Sequence, residues 1–126
     1  MNRIDTSKKK ANWRTEATHN LYMSRIDAGD LDHGCALCEA PTLHMLTHWR
    51  IVVNKYPYDR VADLHHMIIP VRHTSGDDLT QEELTELEEA KRGRLNDTYE
   101  FVVEALPRTK SVPGHFHLHL ITSKHF

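Results

Sequence analysis

The stretch His115-Phe116-His117-Leu118-His119-Leu120-Ile121, near the C-terminus, decides how this chain reads. Side chains of a β-strand point to opposite faces with period two. A strand over 115–121 therefore puts three imidazoles on one face and Phe116, Leu118 and Leu120 on the other. Imidazole titrates near neutrality, acts as nucleophile or acid/base, and binds metals. Two readings of the pattern carry chemistry. Histidines at i and i+2 can converge on one catalytic metal. Alternatively, a neutral imidazole attacks phosphorus through one ring nitrogen while an acceptor holds the other as N–H, and flanking imidazoles bind phosphoryl oxygens or protonate the leaving group. The wholly apolar opposite face argues against a third reading, an exposed face that is merely histidine-rich.

The rest of the sequence supplies a small α+β frame for that strand. Residues 1–10 are polar and basic without periodicity and read as a flexible tail, leaving 11–126 as a single domain. Trp13, Ala17, Leu21, Tyr22 and Ile26 recur at helical spacing between Asn12 and about Ala28, with Gly29 as the stop. This additional N-terminal helix either covers the sheet or contacts a second subunit. Asp30 to Pro41 is turn-rich. Strands follow at Trp49–Asn54 and His66–Val71, separated by the polar stretch Lys55–Asp63. Thr80 and Glu83 form a capping box for a helix, and Leu79 and Leu84 form its hydrophobic staple. Leu84, Leu87 and Leu95 mark one face of that helix, and Glu82, Glu86, Glu88, Glu89, Lys91 and Arg92 a solvated one. Tyr99–Ala105 is a third strand, and the loop 106–114 leads into the histidine strand. The expectation is an antiparallel sheet with a helix between strand pairs.

Bulk properties exclude several functions. A formal net charge of −2, with Lys8–Lys10 the only basic cluster, gives no footprint for nucleic acid. No apolar run reaches membrane-spanning length, and no signal-peptide core opens the chain, so a cytoplasmic protein is expected. Eleven histidines raise the odds both of a real site and of chance pairs, and His19, His33, His44, His48 and His125 read as solvated or locally bonded. The only cysteines, Cys35 and Cys38, sit in one Cys-x-x-Cys element that lacks the strand–helix context of a redox motif. Half of a tetrahedral zinc site suits them better, with two histidines completing it. Spacing alone does not choose those two from eleven.

Taken together, these segments resemble the histidine triad superfamily. The resemblance runs from about Cys35 to Ile121. It rests on the His-φ-His-φ-His-φ-φ signature at 115–121, on Asn54-Lys55-Tyr56-Pro57, and on His65-His66-Met67-Ile68-Ile69-Pro70-Val71-Arg72-His73 upstream of the helix. It implies the family's α+β fold, a homodimer, and hydrolysis at the α-phosphorus of nucleoside phosphoramidates or dinucleoside polyphosphates through a nucleotidyl-histidine intermediate. His117 matches the nucleophile. His119 matches the histidine that contacts phosphate oxygens, and His65 the fourth histidine. Asn54 matches the ribose-binding residue, and Ile51, Val53 and Ile69 are candidate walls for the base. In zinc-carrying branches a Cys-x-x-Cys pair is joined by two histidines, whose positions here are His73 and His115. The zinc is structural and does not touch substrate. The chain departs from the family at 110–114, where Lys-Ser-Val-Pro-Gly replaces the usual Gly-Gln-Ser/Thr stretch. Ser111 stands four positions ahead of His115 and shares with His119 the candidacy for leaving-group contact. A nucleotidyltransferase or phosphorylase of the same superfamily and a non-catalytic nucleotide-binding module are the alternative functions.

Overall fold

Apolar β-branched runs build the sheet, and its central strand carries the most chemistry. The computed structural model describes residues 13–27, 35–107 and 114–124. The tail 1–10, Gly29, His33, Ser111 and His125 lie outside the described residues. In chain order the elements are α1 (Glu16–Asp27), α2 (Ala36–Glu39), β1 (Thr42–Met45), β2 (Trp49–Val53) and β3 (Ala62–Pro70). After a 3-10 turn at Gly76–Asp78 come α3 (Gln81–Arg92), α4 (Arg94–Thr98), β4 (Phe101–Val103) and β5 (Leu118–Ser123). The five strands form one sheet in the order β1-β2-β3-β5-β4, every neighbouring pair antiparallel. This is the expected α+β arrangement, with α3 and α4 between β3 and β4.

Register sorts the sheet into two faces. Ile51 pairs with Ile68, and Ile68 with Leu118, so these three share a face with Trp49 and Leu120. Against that face pack Leu87 and Ala90 of α3 and Leu95 of α4, forming the main core. Trp49, Ile68 and Leu120 are fully buried, and burying side chains of this size is worth roughly 1.5–3 kcal/mol each. The opposite face carries Val52, Met67 and Ile69, covered by Leu37 of α2.

Caps and anchors fix the helices. Thr80 Oγ1 accepts from Glu83 N–H, and the Glu83 carboxylate accepts in return from Thr80 N–H, so the capping box is formed. That carboxylate also pairs with Arg72 at 2.7 Å. Leu79 packs on the core, but Leu84 is exposed, because the buried arc of α3 centres on Glu83, Leu87 and Ala90. Nor is the charged face of α3 wholly solvated, since Glu86 accepts the backbone N–H groups of Thr47 and His48.

Strand limits differ from those read in the sequence. The third strand shrinks to 101–103, and β1 and the single turn of α2 appear inside or beside a segment read as turn-rich. β3 begins at Ala62 because Ala62 and Leu64 pair across a register shift with Ser123 and Thr122. β5 starts only at Leu118, so His115 and His117 precede it and His119 alone lies within it. The N-terminal helix does not cover the sheet with its apolar stripe: Trp13, Ala17 and Leu21 are exposed. Its first turn instead docks on the loop between β2 and β3. Asp59 accepts from Thr15 N–H and from the hydroxyls of Thr15 and Thr18, and Arg60 N–H donates to Trp13 C=O.

Candidate active site

β3 and β5 bring His65 and His119 together although 54 residues separate them. Met67 is the register partner of His119, and His65 lies two residues before Met67 on the same face. Asn54 joins them from the end of β2, its backbone N–H donating to His65 C=O. His65, His115, His117 and His119 are all buried.

Hydrogen bonds dictate where each proton sits. Tyr58 N–H donates to His65 Nδ1 at 2.9 Å, so that nitrogen carries the lone pair and Nε2 the hydrogen. His65 Nε2 lies 2.8 Å from His119 Nδ1 and therefore donates to it. His119 is left with its own hydrogen on Nε2. Asn54 Oδ1 accepts from Tyr56 N–H, which leaves Asn54 Nδ2 at 3.3 Å from His65 Nε2, a contact between two donors that is no hydrogen bond in this tautomer. A carbonyl can only accept, so His117 Nδ1, 3.0 Å from His115 C=O, must be an N–H. Its lone pair is then on Nε2. The rings of His117 and His119 stand edge to face with centroids 5.4 Å apart. The site thus pairs an imidazole with a basic Nε2 and one with a donating Nε2–H.

Burial keeps His65 and His119 neutral. Desolvation first, then the neighbouring charges of His119, Arg14 and His66, lower His65 to about 3. Desolvation, followed by His117 and Arg14, lowers His119 to about 4. Tyr58 packs over both, its ring 4.4 Å from that of His65 and 5.1 Å from that of His119. Burial likewise raises the Tyr58 phenol above its usual range, so it stays protonated.

A second cluster adjoins the first. Cys35, Cys38, His73 and His115 converge, with four donor atoms all within 4.8 Å of one another. His115 Nε2 donates to Pro70 C=O at 3.0 Å, which leaves the Nδ1 lone pair facing Cys35 Sγ at 3.4 Å and Cys38 Sγ at 3.3 Å. His73 Nδ1 lies 3.2 Å from Cys38 Sγ. The cysteines are positioned by Arg50, a buried guanidinium that donates to the carbonyls of Leu37, Cys38 and Ala40 and to Thr42 Oγ1. This set can hold a metal ion.

No family model matches this sequence, and no curated protein matches it either. Solved structures do. One described as a "Hit Like Protein" is 13% identical with a TM-score of 0.49, the alignment covering 82% of this chain and 98% of that one. A histidine triad protein from Clostridium difficile is 17% identical with a TM-score of 0.47, over 83% and 90% of the two chains.

Of the residues singled out in the sequence, His117, His119, His65 and Asn54 meet at one place, and Cys35, Cys38, His73 and His115 at the next. Ser111 lies outside the described residues. Ile69 is on the histidine face, but Ile51 and Val53 are not: Ile51 is buried in the opposite core and Val53 shares its parity. They cannot wall a pocket around this histidine triad. Val52, paired with Met67, lies on the histidine face but is fully buried there. The signal was available, because Asn54 on the histidine face requires Val52 and Arg50 to share it. Tyr58, Arg50 and Arg14 had no sequence signature. Their roles come from contacts 7, 10 to 13 and 42 residues away.

Proposed function

We propose that the chain is a histidine triad nucleotide hydrolase or transferase, and that zinc occupies the Cys35/Cys38/His73/His115 cluster. The observation that carries this reading is the proton assignment at His117. Its Nδ1–H is anchored on His115 C=O, so Nε2 bears the lone pair, beside the donating Nε2–H of His119. A phosphoryl-transfer site needs that combination of a nucleophile and an electrophilic donor.

In the first step His117 Nε2 forms a bond to the α-phosphorus, and the bond to the leaving group breaks with its electron pair. His119 Nε2–H donates to a phosphoryl oxygen, where charge builds. His65, fixed by Tyr58 N–H, holds His119 in the donating tautomer. Water then attacks the phosphorus of the nucleotidyl-histidine and gives up a proton. The P–N bond breaks, a nucleoside monophosphate leaves and His117 is restored. In a transferase another acceptor replaces water. Asn54 is the proposed ribose contact.

Zinc fits its donor set. Bond lengths of about 2.3 Å to sulfur and about 2.0 Å to nitrogen make an S···N tetrahedron edge of about 3.5 Å. Three of the four S···N separations are 3.2 to 3.4 Å, and all the donor atoms lie within 4.8 Å of one another. Bound there, the ion would rigidify His115, whose carbonyl orients the nucleophile. Homodimerisation and cytoplasmic residence complete the proposal.

The test is liquid chromatography of a panel of adenosine and guanosine phosphoramidates and dinucleoside polyphosphates. Wild type should release nucleoside monophosphate, and His117→Ala should lose turnover by at least about a thousandfold while still binding nucleotide in calorimetry. Turnover retained by His117→Ala would remove the nucleophile from the mechanism.

A further inference from the structure

The segment leading into α1 brings a cation, Arg14, to the edge of the histidine site. Arg14 Nε donates to Tyr56 C=O at 2.7 Å. Its guanidinium carbon lies 4.3 Å from the centroid of the Tyr22 ring and 5.0 Å from that of Tyr58. Tyr58 is the residue packed over His65 and His119, its centroid 5.1 Å from that of His119. The guanidinium therefore stands at most about 10 Å from the His119 ring. His65 and His119 both register its charge.

No carboxylate among the described residues pairs with Arg14. Asp59, on the same loop, is committed to Thr15 and Thr18. Two aromatic faces and a carbonyl thus orient the planar fork without neutralising it. A guanidinium held this way has little side-chain entropy left to lose and matches phosphate oxygens in bidentate geometry.

We propose that Arg14 binds the phosphate chain beyond the α-phosphorus, so that the site selects nucleotides with an anionic polyphosphate leaving group over phosphoramidates with an uncharged amine. This rests on the nucleotide reading above and chooses between its two substrate classes. The leaving-group chemistry agrees. An amine must gain a proton to depart, and with His65 and His119 held neutral at pH 7 neither ring is an imidazolium able to give one. A polyphosphate departs as a stabilised anion and needs a cation along its path.

The test compares wild type, Arg14→Gln and Arg14→Lys on diadenosine tetraphosphate and on adenosine phosphoramidate, with calorimetry on inorganic pyrophosphate and adenosine monophosphate. Losing a charge-assisted contact to phosphate should lower kcat/KM for the tetraphosphate about 10- to 100-fold in Arg14→Gln. The phosphoramidate should change by less than about threefold, and Arg14→Lys should fall between wild type and Arg14→Gln. Pyrophosphate, which carries no nucleoside, should bind wild type and lose affinity in both variants, a readout that survives slow turnover. If Arg14 merely clamps α1, both substrates decline together, and that result overturns the proposal. Adenosine monophosphate binding without pyrophosphate binding overturns it alone. If wild type binds neither, the nucleotide reading falls with it.

Discussion

Acidification should destabilise this protein through His65 in a way one substitution can isolate. In an unfolded chain a histidine titrates near 6.5, whereas folded His65 remains neutral down to about 3. Between those values unfolding takes up a proton, so falling pH favours the unfolded state. The slope is about 1.4 kcal/mol per pH unit for one such group, present across that window and absent above about pH 7.5. His65→Asn removes the titration and keeps an acceptor for Tyr58 N–H, because the Asn oxygen reaches the place of Nδ1. The donor to His119 Nδ1 is lost, a cost that stays the same across the pH range in which His119 is neutral. His119 should keep its depressed value, since burial, His117 and Arg14 cause it. Urea unfolding of both proteins between about pH 6 and pH 4.5 should then show wild type losing about 2 kcal/mol more than the variant. Comparing the two cancels contributions from the other histidines and from the carboxylates. Parallel pH profiles would refute the reasoning, for they would mean that His65 titrates alike in folded and unfolded chains.

Two further perturbations address the metal cluster. Cys35→Ser should reduce bound zinc from near one ion per chain to a small fraction, read by atomic emission on the purified protein; unchanged stoichiometry would exclude the assignment. Arg50→Met should cost about 3 kcal/mol in urea unfolding, because three backbone carbonyls and Thr42 Oγ1 lose a charged donor. It should also speed transfer of the metal to a chelator, and wild-type stability in that variant would refute the role given to Arg50.

Much of this architecture is legible in the chain because it is written in short-range patterns. The capping box at Thr80 and Glu83 involves residues three apart, and the apolar runs at 49–53 and 66–70 read as strands without tertiary help. His65 and His119 were placed in one site by family resemblance, and the sheet register supplies the physical reason. Illegible features depend on partners remote in sequence. The parity of Ile51 could be fixed only by knowing which face α3 covers. The beginning of β3 is set by Thr122 and Ser123, some sixty residues downstream. The apolar stripe of α1 is used only in part, Trp13 and Tyr22 meeting Tyr58 and Tyr56, while Asp59 and Arg14 add polar and cation–π contacts that leave no hydrophobic period.

His115 explains why three alternating histidines do not compete for one ion. Its ring turns to the cysteines, with Nε2 satisfied by Pro70 C=O and Nδ1 given to the cluster. Its backbone carbonyl, meanwhile, fixes the proton on His117 Nδ1. One residue therefore links the Cys/His cluster to the proposed nucleophile through its own side chain and carbonyl, so that an ion held there would have no need to approach substrate. Had β5 begun at His115, as the alternation suggested, a regular ladder would have bound that carbonyl to a neighbouring strand. Because β5 starts at Leu118, the carbonyl remains available to the His117 ring. The irregular entry to the strand is thus what turns a histidine-rich sequence into two sites with distinct chemistry.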